Sequence, residues 1–430
     1  MNILLTINDF SITGGAERVV ANLANAFTQL GHRVEILSFY HANSVLPYDT
    51  KTKLTFMHDF AEDSLRQKML LNPLKKLYFK NLHKLILSLK VSFCHKHADT
   101  IITNDWTYMP LLKRKNAHYI KIHHSKFEGR YNTRNNLFDT LIILSAAELD
   151  IWQRYHNNVR IIPNFLPQIP TQSTDYKQKV VLSVGRMDNG DQKGFLRLID
   201  IWKMVQESIK NPPHPVILSE TQCSEVSKPR ESNKNDELRT EKRFDELDST
   251  LQRSDSNSLD SRTLDSSLRA TLCAQNDNLD LSQWKLIIVG DGILKDEIET
   301  KIKALNLQDS IILKPFTKEI EKEYLSASIY AMSSHFEGFP MVLIESTSYG
   351  LAPISFDIKT GPSDIIADNQ SGFLVKDNDL QDYADKLITL MSDENLRANF
   401  GKKAKTLVSE KFSKEVVIKL WEKVFDEMKR

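Results

Sequence analysis

Short apolar strands alternate with amphipathic helical segments along most of this 430-residue chain, and this alternation limits the folds that it can adopt. The first strand covers 3–7, and after Gly14 and Gly15 apolar residues recur at helical spacing as far as Leu30. Gly31 then ends the helix, and another apolar run follows. Two strands joined by a helix lie parallel, because the crossover returns the chain to the same end of the sheet. The pattern therefore predicts an α/β protein with doubly wound parallel sheets.

The alternation starts a second time after 162–164, at a strand over 180–184 that a helical run follows. Because a chain of this length exceeds what one ordinary core holds, we expect two domains. We predict a first domain over 1–165 and a second over 166–413, each built on its own doubly wound sheet. An amphipathic helix over 414–430 ends the sequence, and we expect it to pack back toward the first domain.

A polar segment over 211–283 interrupts the second domain. It is dense in Ser, Asp, Asn, Arg and Glu, poor in aromatic residues, and contains imperfect repeats at 247–251 and 264–268. Such a composition buries too little apolar surface to offset the chain entropy that folding removes. We therefore predict a disordered or weakly helical insertion in place of a short helix-to-strand connection. A partner-binding segment is the alternative to a tolerated insertion.

The overall composition is that of an ordinary globular protein. A formal net charge of +1 gives no global field that would attract nucleic acid. Cys94, Cys223 and Cys273 are widely separated, so they predict neither a disulfide framework nor a zinc site. The N-terminal residues lack a signal-type basic region, and no run approaches the roughly 18–20 apolar residues of a membrane span. We therefore expect a cytoplasmic protein.

Two turns are candidates for binding a phosphate group. Gly14 and Gly15 lie between a strand and a helix, where backbone N–H groups and the helix N-terminus favour an anion. A turn that merely requires glycine fits that pair equally well. Arg186 follows the strand over 180–184, and Lys193 stands just before the next helix. Two cations there could hold a diphosphate as a leaving group, and solvated side chains on a loop are the alternative.

Two glutamates in the segment 333–345 form the most specific candidate site. Glu337 lies in the loop after an apolar strand, followed by Gly338 and Phe339. Glu345 lies in the next helix, on an otherwise apolar face. A carboxylate can accept two hydrogen bonds from a vicinal diol such as a ribose, which favours Glu345 for that role. Two glutamates exposed to solvent are the alternative.

Three shorter patterns complete the candidates. Gly361 opens a helix at another strand end, well placed for phosphate or sugar hydroxyls. His123 ends a strand and can bind a hydroxyl or transfer a proton, with His124 as the alternative if the loop register differs by one. Two histidines in a polar loop are equally ordinary. Asp377-Asn378-Asp379 has the form of a metal-binding Asp-x-Asp, but it precedes a helix, so helix capping explains it better and we predict no metal site.

A basic amphipathic stretch over 66–97 contains no acidic residue. Leucines recur among its cations, and such a helix suits anionic lipid headgroups. A helix with its apolar face in the core and its lysines in water is the alternative. No aromatic platform accompanies the charges, so nucleic-acid binding is not expected. The cations are Arg66, Lys68, Lys75, Lys76, Lys80, Lys84, Lys90 and Lys96.

Together these segments resemble the retaining glycosyltransferases of family 4, which have the GT-B fold of two Rossmann-like domains facing across a cleft. The segment 14–20 looks like their N-terminal phosphate loop, and 162–164 looks like their interdomain segment. The cations within 184–194 look like their phosphate-binding pair. Glu337 and Glu345, at the two ends of the segment 337–345, match their paired-glutamate motif. The resemblance covers nearly the whole chain apart from 211–283.

The resemblance implies a role for each candidate residue. Arg186 and Lys193 would bind the diphosphate of a nucleotide-sugar donor, and Glu345 its ribose. Glu337 would contact the donor sugar, and His123 a sugar hydroxyl near the reacting carbon. The other implied donor-binding residues are Gly14, Gly15, Gly338, Phe339 and Gly361.

The resemblance also implies the reaction. A hexose or N-acetylhexosamine would move from a UDP-sugar to a lipid-linked saccharide or lipopolysaccharide-type acceptor with retention of configuration, without cofactor or metal. The segment 360–366 resembles bacterial members that build lipopolysaccharide, capsule or glycan chains, which favours galactose. Such an enzyme would work at the inner face of the cell membrane. The alternatives are a sugar-nucleotide epimerase or a catalytically silent membrane-surface protein of this fold, and a metal-dependent single-sheet glycosyltransferase.

Overall fold

The computed structural model describes residues 1–62, 82–210 and 281–429. Two fully parallel β-sheets of seven and six strands lie within these ranges, which confirms the predicted two-sheet α/β fold. Part of the basic stretch, 66–81, and most of the polar insertion, 211–280, lie outside the described residues.

The first sheet contains seven strands with helices between them. The strands are β1 (Asn2–Asp9), β2 (Arg33–Tyr40), β3 (Lys53–Phe56), β4 (Thr100–Thr103), β5 (His118–His123), β6 (Thr140–Ile143) and β7 (Val159–Ile161). The helices are α1 (Gly15–Gln29), α2 (His83–Cys94) and α3 (Leu149–Gln153). The strands are ordered β3-β2-β1-β4-β5-β6-β7.

The second sheet contains six strands. They are β8 (Val180–Val184), β9 (Lys285–Val289), β10 (Ile311–Lys314), β11 (Ile329–Met332), β12 (Ala352–Asp357) and β13 (Phe373–Lys376), in the order β10-β9-β8-β11-β12-β13. The first helices are α4 (Phe195–Lys210), α5 (Lys295–Ala304), α6 (Ile320–Leu325) and α7 (Met341–Ser348). They are followed by α8 (Pro362–Ile365), α9 (Leu380–Ser392), α10 (Glu394–Phe412) and α11 (Lys414–Glu427).

The buried faces follow the sequence periods. The interior of β1 is buried residue after residue, as expected for a strand that is covered on both faces. One face of α1 is buried, including Val20, Leu23 and Phe27. Gly31 ends this helix with a φ of +83°, a conformation that glycine adopts without strain, and its N–H bonds to the carbonyl of Thr28.

Strand order reverses once in each sheet, and both reversals bear on function. In the first sheet β2 and β4 flank β1, and in the second sheet β9 and β11 flank β8. Open parallel sheets bind ligands outside the carboxyl ends of their strands at such a switch point. The loop with Gly14 and Gly15 follows β1, while the loops with Arg186 and Glu337 follow β8 and β11. The predicted site residues therefore cluster at the two switch points.

The described residues within 1–206 and 283–429 form one compact unit that contains both sheets. The C-terminal helix α11 contacts α1 of the first sheet, where the ring centroids of Trp421 and Phe425 lie 5.5 and 5.2 Å from that of Phe27. None of the helices among the described residues combines the length and the apolar character that a bilayer crossing requires.

Candidate functional site

Lys193 and Glu337 meet at the carboxyl end of the second sheet. The Lys193 ammonium lies 2.7 Å from Glu337 Oε1, and the Ser334 hydroxyl donates a hydrogen bond to the same oxygen at 2.7 Å. The Lys193 and Glu337 side chains are only 17% and 7% exposed. An ion pair that is shielded from water is strongly coupled, and removing one partner leaves the other buried and uncompensated. The structure thus brings together two residues that the sequence predicted in separate segments.

Arg197 holds the loop that carries Glu337. Its buried guanidinium donates from Nε to the Ser333 carbonyl at 2.6 Å and bonds the Ser334 carbonyl as well. The same side chain pairs with Asp377 at 2.9 Å. A loop whose carbonyls are fixed by one buried cation has little freedom, so Glu337 is presented in a defined position.

Two glycines with positive φ allow the backbone to pack around Glu337. Gly194 has a φ of +67°, and a Cβ atom there would stand 1.8 Å from the Ser333 carbonyl oxygen. Gly361 has a φ of +100°, and its Cβ would stand 2.3 Å from Pro340 Cδ. Next to Gly361, the Thr360 hydroxyl donates to the Glu337 carbonyl at 2.5 Å. In the structure, Gly361 therefore helps to shape the loop that presents Glu337.

Glu345 pairs with a residue from the first sheet. Arg18, in the first turns of α1, places a guanidinium nitrogen 2.5 Å from Glu345 Oε1. The Tyr324 hydroxyl donates to Oε2 at 3.2 Å. Burial raises the pKa of the Glu345 carboxyl, while the Arg18 charge opposes that rise. The two domains are therefore joined electrostatically at one of the predicted donor-binding residues.

The two glutamates act on one buried tyrosine between them. The Tyr330 hydroxyl donates to the Val184 carbonyl at 3.3 Å, at the end of β8. Burial raises the pKa of Tyr330 well above its usual range, and the charges of Glu337 and Glu345 both add to the rise. A charge shifts the pKa of another group only when the two are close together. Both carboxylates therefore lie near Tyr330, in one region at the end of the sheet.

Arg186 lies on the outer side of this region. Its side chain is 64% exposed, and a guanidinium nitrogen lies 3.1 Å from Asp188 Oδ2. Its charge also acts on Glu17 of α1, whose pKa burial raises to about 7, with Asp105 adding to the rise and Arg186 opposing it. Arg186 therefore lies close enough to the first turn of α1 to influence a buried carboxyl there, and its exposed guanidinium is accessible to a ligand.

The glycine loop is partly occupied by protein contacts. The Tyr48 hydroxyl donates to the Gly14 carbonyl at 2.8 Å and lies 3.2 Å from the Gly14 nitrogen. A Cβ atom on Gly14 would meet the carboxylate of Glu17, whereas one on Gly15 would meet nothing within 4 Å. Open space for a ligand thus begins at Gly15.

The two histidines point in different directions. His123 is buried, with its ring centroid 4.2 Å from that of Trp152 and its Nε2 3.1 Å from Asn135 Oδ1. His124 places Nε2 3.0 Å from Asn104 Oδ1. Burial lowers the pKa of each imidazole to about 3, so both are neutral at physiological pH and can accept or donate a hydrogen bond.

The backbone of His124 meets the glutamate loop directly. A Cβ atom on Gly338 would stand 1.8 Å from the His124 carbonyl oxygen, so this junction between the two sheets requires glycine. Phe339 is buried, and its ring centroid lies 5.3 Å from that of Phe412 in α10. The side chain of Phe339 therefore anchors the loop in the core, and its backbone remains the part that could contact a donor.

The sequence-based prediction missed four residues of the site: Arg18, Tyr324, Ser334 and Arg197. One signal was available for Arg18, since a cation in the first turns of a helix opposes the helix dipole and suggests an anionic partner. For the tyrosine, the serine and the buried arginine, the sequence offers no pattern that distinguishes them from ordinary core or loop residues.

Two protein families match separate parts of the chain. The family described as Glycosyltransferase Family 4 matches residues 13–167, and that described as Glycosyl transferases group 1 matches residues 268–407. The first range contains the glycine loop and both histidines, and the second contains both glutamates. Arg186 and Lys193 lie between the two matched ranges.

Individual relatives are bacterial. The amylovoran biosynthesis glycosyltransferase AmsD of Erwinia amylovora is 38% identical over 149 residues, which cover 35% of this chain and 42% of that relative. The GalNAc-alpha-(1->4)-GalNAc-alpha-(1->3)-diNAcBac-PP-undecaprenol alpha-1,4-N-acetyl-D-galactosaminyltransferase of Campylobacter jejuni is 25% identical over 94% of this chain and 91% of its own length. The crystal structure of TarM, a protein of S. aureus, superposes with a TM-score of 0.68 at 17% identity, covering 99% of this chain and 98% of TarM, and so shares the GT-B fold.

Proposed function

This chain belongs to glycosyltransferase family 4, and we propose that it transfers a hexose or N-acetylhexosamine from a UDP-sugar to a lipid-linked saccharide or polysaccharide acceptor, with galactose favoured among the hexoses. The observation that carries the proposal is the buried Lys193–Glu337 pair, which lies at the switch point of the second sheet. A cation there can meet a departing diphosphate, and the carboxylate beside it lies where the reacting sugar would sit.

Lys193 and Arg186 supply positive charge to the leaving group. As the bond between the anomeric carbon and the diphosphate oxygen breaks, negative charge grows on UDP while the sugar becomes oxocarbenium-like. The acceptor hydroxyl then forms a bond on the same face of the anomeric carbon, and its proton passes to the departing diphosphate, so the configuration is retained. We expect the two cations to take the role of a metal, so that Mg²⁺ or Mn²⁺ does not raise the rate.

Glu345 is proposed to bind the ribose of UDP. Its two oxygens are held by Arg18 and Tyr324, and each carboxylate oxygen has a second lone pair for a ribose hydroxyl. The Arg18 charge opposes the rise in the pKa of this buried carboxyl and so favours the ionised form, which accepts two hydrogen bonds. In this proposal, Glu337 contacts the transferred sugar, while His123 or His124 binds a sugar hydroxyl as a neutral imidazole.

The acceptor class is proposed from the relatives. The C. jejuni relative that spans nearly the whole chain is named for transfer to an undecaprenyl-diphosphate-linked saccharide. A further relative, 30% identical over 26% of this chain, is named a lipopolysaccharide 1,6-galactosyltransferase. The sugars transferred according to these two names are N-acetyl-D-galactosamine and galactose, which supports UDP-galactose or a UDP-N-acetylhexosamine as the donor proposed here.

A patch of exposed side chains on the first domain supports association of the protein with an anionic membrane surface. Phe93 of α2 is 75% exposed, and Leu111 and Leu112 on the neighbouring loop are 40% exposed each. Ser92 donates to the Leu112 carbonyl at 3.0 Å, which joins the helix and the loop. Exposed lysines lie within four residues of these apolar side chains in the sequence, at Lys90, Lys96, Lys113 and Lys115, and Lys113 also pairs with Asp139. Apolar side chains within a basic rim fit the headgroup region of an anionic bilayer, so we propose a cytoplasmic, peripheral location.

The test is a donor panel. Purified chain is given UDP-, GDP- and ADP-sugars with a membrane extract as acceptor, and nucleotide release is measured with and without the extract. We expect release from UDP-galactose or a UDP-N-acetylhexosamine only with acceptor present, and at least 100-fold less from Glu337→Ala and Arg186→Ala. Activity confined to GDP- or ADP-sugars would overturn the donor assignment. Conversion of the donor into an epimeric UDP-sugar without any acceptor, followed by chromatography of the same reactions, would instead support the epimerase alternative.

Membrane association has a separate readout. Flotation with vesicles that contain phosphatidylglycerol should recover the wild-type chain, and pure phosphatidylcholine vesicles should not. Phe93→Ser with Leu112→Ser should lose flotation but keep donor turnover on a soluble acceptor. Equal flotation of the wild-type and double-variant chains would refute the proposal that this patch binds the membrane.

A further inference from the structure

Glu35, His95 and His97 form a cluster at the amino-terminal end of the first sheet, opposite the end that carries the candidate site. Glu35 lies near the start of β2, and the two histidines follow α2 just before β4. His95 Nδ1 and His97 Nε2 lie 3.4 and 3.7 Å from Glu35 Oε2. One ligand atom from each residue lies within 4.8 Å of the other two. Glycosyl transfer at the carboxyl end of the sheet makes no use of these groups.

We propose that this cluster binds one divalent transition-metal ion, Zn²⁺, through Glu35 Oε2, His95 Nδ1 and His97 Nε2. Two imidazole nitrogens and one carboxylate oxygen are a ligand set that zinc prefers. Bonds of about 2.0–2.2 Å arranged as a tetrahedron separate the ligand atoms by about 3.3–3.5 Å. The two separations from Glu35 Oε2, 3.4 and 3.7 Å, come close to that spacing, and all three ligand atoms lie within 4.8 Å of one another. Binding therefore requires the side chains to draw together around the ion.

The burial of His95 and the weak contact of its ring nitrogen also support the assignment. His95 is 6% exposed, and its Nδ1 makes no hydrogen bond within the part of the chain that the structure describes. Its contact with Glu35 Oε2, at 3.4 Å, is longer than a good hydrogen bond. A buried polar atom without a partner is costly, and native proteins rarely leave one. A metal ion at the centre of the cluster would satisfy it.

Neighbouring side chains already orient the carboxylate as a ligand. The Thr55 hydroxyl donates to Glu35 Oε1 at 2.8 Å, and the Lys53 ammonium lies 3.0 Å from the same oxygen. Both contacts fall on Oε1, which leaves Oε2 facing the two histidines. Outer partners of this kind fix the first ligands of metal sites and raise their affinity.

The site would hold the ion with three protein ligands and be open to solvent on one side. The His97 side chain is 51% exposed, so an ion can enter from that side and a water molecule can take the fourth position. An ion there would tie β2 to the segment between α2 and β4. Because an ion bound only by the folded chain favours folding by mass action, the unfolding temperature should rise with zinc concentration.

The experiment measures zinc content and affinity in the full chain, prepared without a histidine tag. The protein is equilibrated with Zn²⁺, passed through a chelator-free gel-filtration column, and analysed by mass spectrometry of the metal. We expect about one Zn²⁺ per wild-type chain and at least a tenfold lower content in His97→Ala. His97 is half-exposed, so its loss should not disturb the fold, and equal unfolding temperatures without metal check this. His41→Ala is the control, because His41 also pairs with a carboxylate, Asp59, but lies outside the cluster.

A second variant separates a metal site from a simple charge cluster. Thr55→Val removes one hydrogen bond to Glu35 and should weaken zinc affinity by about 10- to 100-fold, measured by competition with a chromophoric chelator. Zinc should raise the unfolding temperature of wild type and His41→Ala, but not of His97→Ala. Absence of bound zinc in wild type, or equal zinc content in wild type and His97→Ala, would overturn the proposal. Neither result depends on a donor sugar, so they stand apart from any failure of the transferase assay.

Discussion

Substitution of Gly338 by alanine tests whether the junction between the two sheets sets the position of Glu337. Gly338 follows Glu337 directly and packs on the backbone of His124. Its φ is not positive, so alanine is compatible with its backbone conformation and the substitution adds only a methyl group. Any effect therefore comes from the space that this methyl group requires between the two sheets.

The magnitude follows from the distance. The added Cβ would stand 1.8 Å from the His124 carbonyl oxygen, whereas carbon and oxygen in contact stand about 3.2 Å apart. The glutamate loop and the end of β5 must therefore separate by about 1.4 Å, because both contacts are backbone. A misplacement of about 1 Å costs about 100-fold in rate, so we expect kcat/KM to fall by at least that factor. Overpacking should also cost about 1–3 kcal/mol of unfolding free energy.

The assay compares this variant with a control variant in which an added methyl group makes a similar steric clash away from the junction between the two sheets. A Cβ atom on Gly401, in α10, would stand 2.0 Å from the Gly350 carbonyl oxygen, among helices of the second domain. Gly401→Ala should lose stability in urea to a similar degree but keep the kcat/KM of the folded enzyme. UDP release is measured at a temperature where both variants are folded. The reasoning fails if Gly338→Ala keeps wild-type kcat/KM, or if Gly401→Ala loses as much activity.

Three further predictions concern single charges. Lys193→Met should lower kcat by about 100- to 1,000-fold in steady-state assays, and Lys193→Arg, which keeps the charge, should lose less. Arg18→Met should weaken UDP binding about tenfold in calorimetry relative to Arg18→Lys, because loss of the cation raises the pKa of the buried Glu345 carboxyl further and favours its protonated form; unchanged binding would contradict the pairing. The pKa of Glu17 is raised from 4.5 to about 7 in the folded chain, so the folded state binds this proton more tightly than the unfolded state does. The free energy of unfolding should therefore fall by about 3 kcal/mol as the pH rises from 4.5 past 7. Glu17→Gln should abolish that part of the pH dependence in urea unfolding, and identical wild-type and variant profiles would refute it.

Much of the fold could be predicted from local patterns. Strand and helix periods recur every few residues, and parallel pairing follows once helices separate the strands. The segments around Gly14, Arg186 and Glu337 were assigned to strand ends in the same way, and the switch points of both sheets lie there. The prediction could not extend to side-chain partners, because the period of a strand says which face a residue occupies but not what covers it.

Local patterns were enough to predict the two parallel sheets, the order of the candidate motifs and the presence of cations and carboxylates at strand ends, because those features depend on residues near one another in the chain. Which charges meet became known from the three-dimensional fold alone. Arg18 reaches Glu345 across the two domains, Glu35 meets His95 and His97 from a different strand, and the Gly338 backbone packs against His124. These contacts depend on how separate elements pack in three dimensions, and that packing is fixed by burial and steric fit across the whole chain rather than by local spacing.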